Sequence, residues 1–281
     1  MNPENAPHVV VSPAMGVRAR FYRPLTDALV EHGWTASVAP RRGIEPGDLG
    51  PARRRDWSYA DEAHDLGRKV ADCRALHPDR PILVLGHSMG AQLCALLAAG
   101  RSTDGSLPDG YVIIAGSLPW RRYYPRRGVV EYAVAATIPP TTAVLGYWPK
   151  TGFGGPTPRT LMREWARMVR SGRVPWTAAA QPAGPVLAVR LDGDSLVTPD
   201  AASALERHFD AGARTVWTYG TDACPPDGSL DHLRWVRTPE PVVERIVAWW
   251  SDQSRIDRAV RRNTLRTAET TPSTARPIID A

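Results

Sequence analysis

The chain has 281 residues and a formal charge of +6, with 35 Lys and Arg against 29 Asp and Glu. That length suits one large domain with a sizeable core. Lys69 and Lys150 are the only lysines, the arginines are dispersed apart from clusters at 53–55, 121–127 and the C-terminal stretch, and no RNA- or DNA-binding signature accompanies them, so nucleic acid is not an expected partner.

MNPENAPH is polar and leads at once into Val9-Val10-Val11, a first strand that ends at Ser12-Pro13-Ala14-Met15-Gly16. No secretory signal and no membrane span are expected. A helix over Arg18 to His32 carries Phe21, Leu25, Ala28 and Leu29 at helical spacing and stops at Gly33. Trp34 to Val38 reads as a second strand, a Pro/Gly-rich loop follows, and Trp57 to Leu76 reads as a long helix closed by His77-Pro78. On that helix Asp61, Glu62 and His64 form the wet face more simply than a metal site.

Ile82 to Leu85 is a short apolar run suited to a strand buried on both faces. Gly86-His87-Ser88-Met89-Gly90 follows, and from Met89 onward Leu93, Leu96 and Leu97 fall on one helical face. This is G-x-S-x-G between a strand and a helix, a sharp turn that presents the serine hydroxyl. Tyr111 to Ala115, Val186 to Leu191 and Thr215 to Tyr219 are further strands, with helices at Pro199 to Phe209 and Pro241 to Trp250. The expected fold class is α/β, a mostly parallel, doubly wound sheet of about six strands.

Residues 1–116 and 185–252 are read as the core, and 117–184 as a cap inserted beyond the carboxyl ends of the strands. The insertion is rich in large aromatics, of which Trp120, Tyr124, Trp148 and Trp165 are the candidate substrate-binding residues. Leu161 to Val169 within it is helical. The polar, basic stretch 253–281 is expected to be a frayed helix and then a flexible tail.

A serine hydroxyl needs a base and a group that orients the base. In this architecture the order is Ser, acid after a late strand, His. Ser88 is the nucleophile candidate. His232 is the base candidate, because among the seven histidines it alone follows the last strand and precedes the closing helix. His8, His32, His64, His77 and His208 sit at helix ends, helix faces or the N-terminus, the ordinary places for solvated or capping histidines, and His87 is turned away by the elbow. Asp194, beyond the strand with Gly193 before it, is the preferred acid, with Asp192 and then Asp222 or Asp227 as alternatives. Two backbone N–H groups would hold a developing oxyanion: Met89, and Met15 in preference to Ala14.

SPAMGVRARFYRPLTDAL, RRRDWSYADEAHDL, GHSMGAQL, WRRYYP, LGYWPK, REWARM and DGDSLVTP resemble a bacterial group within the α/β-hydrolase superfamily, from about Val9 to about Trp250. The resemblance implies an α/β-hydrolase fold and a capped serine hydrolase with Ser88, Asp194 and His232 at the triad positions. The chain departs from the group's pattern at Ser195, where a second acidic residue is usual, and at Asp231, where a glycine is usual. An anion beside His232 would offer the ring an alternative partner.

The expected activity is cofactor-free hydrolysis of an ester or thioester of a small hydrophobic substrate. The competing expectations are an acyltransferase or cyclase of secondary metabolism and a binding protein of the same fold without turnover. Cys73, Cys94 and Cys224, odd in number and without a ligand pattern, suggest a reduced, cytoplasmic setting.

Overall fold

Alternating side chains build the sheet. In β1 (His8–Ser12) Val10 faces one layer while Val9 and Val11 face the other, and the same alternation runs through the neighbouring strands. The computed structural model describes residues 6–101, 107–149, 155–176 and 184–269, with backbone alone at 101, 127, 254 and 256–269.

The other strands of the main sheet are β2 (Thr35–Val38), β3 (Ile82–His87), β4 (Gly110–Ile114), β7 (Val186–Leu191) and β8 (Arg214–Tyr219). Their order is β2-β1-β3-β4-β7-β8, with every neighbour parallel. The α/β expectation holds, with six strands.

Burial on both faces explains the near-continuous apolar strands. One layer holds α2 (Tyr59–Leu76) and α3 (Met89–Leu96) over Val10, Val84 and Ile113. The opposite layer holds α1 (Arg23–Glu31) and α7 (Glu240–Glu269) over Val11, Leu85 and Ile114. Ser58 and Asp61 close a reciprocal capping box at the start of α2, which spends Asp61 on the helix terminus.

Between β4 and β7 lie α4 (Val129–Leu145), the antiparallel pair β5 (Tyr147–Trp148) and β6 (Thr157–Pro158), and α5 (Arg159–Ser171). Asp56 fixes the start of α5 to the core: its carboxylate accepts from the Thr160 N–H at 2.9 Å, the Thr160 hydroxyl at 2.6 Å and Arg159. Phe153, one of the insertion's aromatics, lies outside the described residues. After β7 comes α6 (Pro199–Glu206), capped by the Thr198 hydroxyl.

Two boundaries differ from expectation. The stretch 18–32 begins as a short 3-10 turn, Ala19–Tyr22, before α1. The closing helix, expected to end at Trp250, runs Glu240–Glu269 and takes in the helical stretch expected after residue 252. Arg, Ala, Leu and Gln are good helix formers and no Gly or Pro interrupts that stretch before Pro272, so propensity extends the helix beyond its apolar face.

Candidate active site

The sheet order reverses between β1 and β3, whose ends lie side by side with Ser12 paired to Gly86. Such a reversal opens a crevice at the carboxyl ends of the strands. β3 ends into it at the elbow. Ser88 has φ 55 and ψ −114, a strained conformation for a residue with a side chain, held between β3 and the first turn of α3. The flanking glycines permit it. A Cβ on Gly86 would come within 2.5 Å of Gly90 backbone, and one on Gly90 within 2.0 Å of the Ser12 carbonyl oxygen.

Across the crevice, the loop after β8 delivers His232. The Ser88 hydroxyl donates to His232 Nε2 at 2.9 Å, and the opposite ring nitrogen, Nδ1–H, donates to Asp194 Oδ2 at 2.7 Å. The Asp194 carboxylate is 2% exposed, and its other oxygen accepts the N–H groups of Leu196 (2.8 Å) and Val197 (3.1 Å). A carboxylate so held orients the imidazole and leaves Nε2 free to receive a proton. Asp192 is exposed at the strand end and makes no such bond, so of the alternatives Asp194 is the one that meets the ring.

Asp231 does not compete. Its Oδ1 accepts the N–H groups of Leu233 and Arg234, both at 3.0 Å, and those bonds, the Leu233 one foremost, hold its carboxyl below the usual carboxylate range. The residue caps the turn that carries His232.

The loop after β1 is fixed by three buried groups. The Ala14 N–H donates to the Tyr22 hydroxyl at 2.7 Å, and that hydroxyl donates to His87 Nδ1 at 2.8 Å. The opposite edge of His87, Nε2–H, donates to the His232 carbonyl at 2.7 Å. Burial, then the neighbouring His232, pushes the His87 pKa down to about 3, so the ring is a neutral strut between two loops of the site. On the other side Arg41, 5% exposed, donates to the carbonyls of Pro13 and Ala14 and pairs with Glu62 at 3.0 Å. The Trp57 indole N–H donates to the second Glu62 oxygen at 3.0 Å. Glu62, expected on a wet face, is therefore buried beneath the loop. Ala14 has spent its N–H on Tyr22, whereas the Met15 N–H makes no hydrogen bond among the described residues.

Ser88 and His232 open into a cavity of about 690 Å³ whose walls are mainly apolar. Met15, Met89, Tyr124, Trp148, Trp165 and Val169 are among its lining. Trp120 is not. It packs against Gly172 and edge-on to Tyr123, under the Arg122 guanidinium, so this expected substrate contact is a packing residue instead. Gln92 was not singled out from sequence. It lies one turn after the elbow, donates to the Ser117 carbonyl at 2.8 Å and accepts from the Tyr59 hydroxyl at 2.9 Å, tying the start of the insertion to α2 and α3. The Tyr124 hydroxyl donates to the Leu196 carbonyl at 3.2 Å, joining the insertion to the Asp194 loop.

Among the described residues no cluster of three His, Cys, Asp or Glu side chains could hold a metal ion, and no helix is long and apolar enough to cross a membrane.

The family described as "Serine aminopeptidase, S33" matches residues 3–152, a span that includes β1, the elbow and α4. The chain belongs to this family. No curated protein matches the sequence. The type II thioesterase BorB from the borrelidin biosynthetic cluster is 20% identical, with a TM-score of 0.52 over 86% of this chain and 92% of that one. One of the metagenome-derived lipolytic enzymes LipS and LipT is 19% identical, with a TM-score of 0.58 over 87% and 93%. A soluble variant of monoglyceride lipase from Saccharomyces cerevisiae is 15% identical, with a TM-score of 0.57 over 89% and 87%. At these identities the likeness is one of fold, and that fold is the α/β-hydrolase fold.

Proposed function

We propose that this family member is a serine hydrolase that cleaves an ester or thioester of a hydrophobic substrate through an acyl-enzyme on Ser88. In the first half-reaction the Ser88 oxygen attacks the acyl carbon while His232 Nε2 takes its proton. Asp194 stabilises the resulting imidazolium. The oxyanion is held by the N–H groups of Met89 and Met15, each donor being worth about 3 to 4 kcal/mol in the transition state. His232 returns the proton to the leaving alcohol or thiol. In the second half-reaction the same nitrogen deprotonates a water that releases the acid.

The observation that carries this reading is the continuous relay, 2.9 Å from Ser88 to His232 and 2.7 Å from His232 to Asp194, at the floor of an apolar cavity of about 690 Å³. Residues 117–184 act as a cap in this reading, since Tyr124, Trp148, Trp165 and Val169 wall the cavity opposite Ser88. The thioesterase and the lipolytic enzyme among the structural neighbours suit thioester or ester cleavage. The free thiols of Cys73, Cys94 and Cys224 suit a reducing, cytoplasmic setting.

The test is intact-mass measurement after incubation with p-nitrophenyl esters of increasing acyl length, beside a fluorophosphonate label. An acyl adduct that turns over in the wild type, with no adduct or label in Ser88→Ala or His232→Ala, is expected. Wild-type protein that takes neither acyl group nor label refutes the proposal.

A further inference from the structure

α4 breaks the usual rule for a helix on a protein surface. Its sequence, VVEYAVAATIPPTTAVL, holds one charged residue, Glu131, which lines the cavity. Inward, Ala135, Ile138 and Thr142 are buried, at the spacing of a single helical face. Outward, Val129 is 64% exposed, Val130 72% and Val144 70%. A helix that is apolar all round is normally covered on every side by protein or by lipid.

Arginines bracket this helix. At its start the Arg121 guanidinium lies over the Tyr132 ring at 5.2 Å, and Arg122 and Arg126 are exposed nearby in the preceding turns. At its end Arg53 donates to the Val144 carbonyl, and Arg54 and Arg55 are exposed beside it. Among the described residues none of these six arginines is in a salt bridge. The two groups are separated by a helix about 25 Å long. Val130 and Val134 on α4, with Leu196 and Leu233 opposite, line the cavity above Ser88 and are themselves exposed, so the lips of the cavity are apolar as well.

We propose that α4 docks on an anionic phospholipid surface, lying in the interface with its aliphatic outward face among the acyl chains and the two arginine groups on the headgroups. An apolar strip with basic residues beside it is the pattern of an interfacial helix. A second copy of this chain fits less well. Antiparallel pairing of α4 about a two-fold axis would set one arginine group against the other, like charge on like charge. Docking would also bring the cavity lips to the lipid, giving an apolar ester a path to Ser88 that avoids water.

The proposal concerns binding and is tested independently of turnover. Full-length protein is sedimented with vesicles of phosphatidylcholine alone and with vesicles that also contain phosphatidylglycerol, in low and high salt. Wild type is expected to sediment with the anionic vesicles and to lose at least about tenfold in partitioning in high salt. The double variants Val129→Glu/Val144→Glu and Arg54→Glu/Arg126→Glu are each expected to lose at least about tenfold, with cleavage of a short soluble ester unchanged. Wild-type protein that ignores anionic vesicles overturns the proposal. So does binding that survives the valine substitutions, which would leave a purely electrostatic contact. A lipid-free dimer that the same substitutions split into monomers overturns it in favour of self-association.

Discussion

Arg41 grips the carbonyl of Pro13 with both Nε and Nη2, and through Nε it also reaches the carbonyl of Ala14 at 3.2 Å. The Ala14 carbonyl and the Met15 N–H belong to one planar peptide unit and point in opposite directions. Anchoring the first therefore aims the second. Arg41 is a positioning residue: it touches no reacting atom, yet it holds the donor proposed for the oxyanion.

Arg41→Lys and Arg41→Met should lower kcat about 10- to 100-fold while KM moves less than about threefold, since the interaction lost is made in the transition state. A lysine cannot fork across two carbonyls and a carboxylate, so it should restore stability better than activity. Arg41→Met also strands Glu62 in the interior and should cost about 3 kcal/mol in urea unfolding. A loss of stability in both variants with kcat intact would reduce Arg41 to a structural role.

The Tyr22 hydroxyl serves Ala14 and His87 at once, at 2.7 and 2.8 Å. Tyr22→Phe keeps the buried ring and removes the oxygen, leaving two polar groups unsatisfied. The expected cost is about 1 to 3 kcal/mol of stability. kcat should fall as well, because His87 braces the backbone of His232. Steady-state kinetics and unfolding measured on the same preparation check this, and unchanged kcat in a destabilised protein would disconnect the strut from the reaction.

Much of the site could be read along the chain because its chemistry is local. Gly86 and Gly90 are demanded by contacts within the elbow and with Ser12, and Ser88 takes its backbone strain from the same turn. Asp194 and His232 follow from strand order. The supporting residues could not be read that way. Arg41 lies in a Pro/Gly-rich loop with nothing local to mark it, and Glu62 sits between Asp61 and His64 in what looks like a solvated helical turn. Their burial exists only after α2 packs under the loop of β1. Pro139-Pro140 hid α4, because consecutive prolines inside a pattern normally end a helix. His8 looked like part of a solvated N-terminus, yet it opens β1 and is buried among Thr35, Ser37 and Cys73.

The two aspartates flanking the histidine's chemistry should separate cleanly. Asp194→Asn replaces the acceptor of the Nδ1–H bond and can favour the wrong imidazole tautomer, so kcat should fall by about 10³ to 10⁴. Asp231→Gly removes a turn cap whose side chain meets only backbone N–H groups, and kcat should stay within about threefold with a stability loss of about 1 kcal/mol. An Asp231→Gly variant as inactive as Asp194→Asn would show that the capped turn, and not the carboxylate, positions the ring.

Two buried histidines set a limit on acid stability. Burial first, and then the positive neighbours His77, Lys69 and Arg80, lower the His8 pKa from 6.5 to about 4, while burial and His232 lower that of His87 from 6.5 to about 3. In both cases the folded value lies below the unfolded one, so a proton binds the unfolded chain first. Their contribution is complete above about pH 6.5 and is lost as the pH falls toward the folded values, at up to about 1.4 kcal/mol per pH unit for each ring. Between about pH 6.5 and pH 5 most carboxylates stay ionised, so the histidines dominate the slope. Burial and then Arg207 lower the pKa of His208 as well, so urea midpoints across that window should fall steadily in the wild type and less steeply, but not flatly, in His8→Gln. A His8→Gln slope equal to the wild-type slope would mean that His8 is protonated as readily in the folded chain as in the unfolded one.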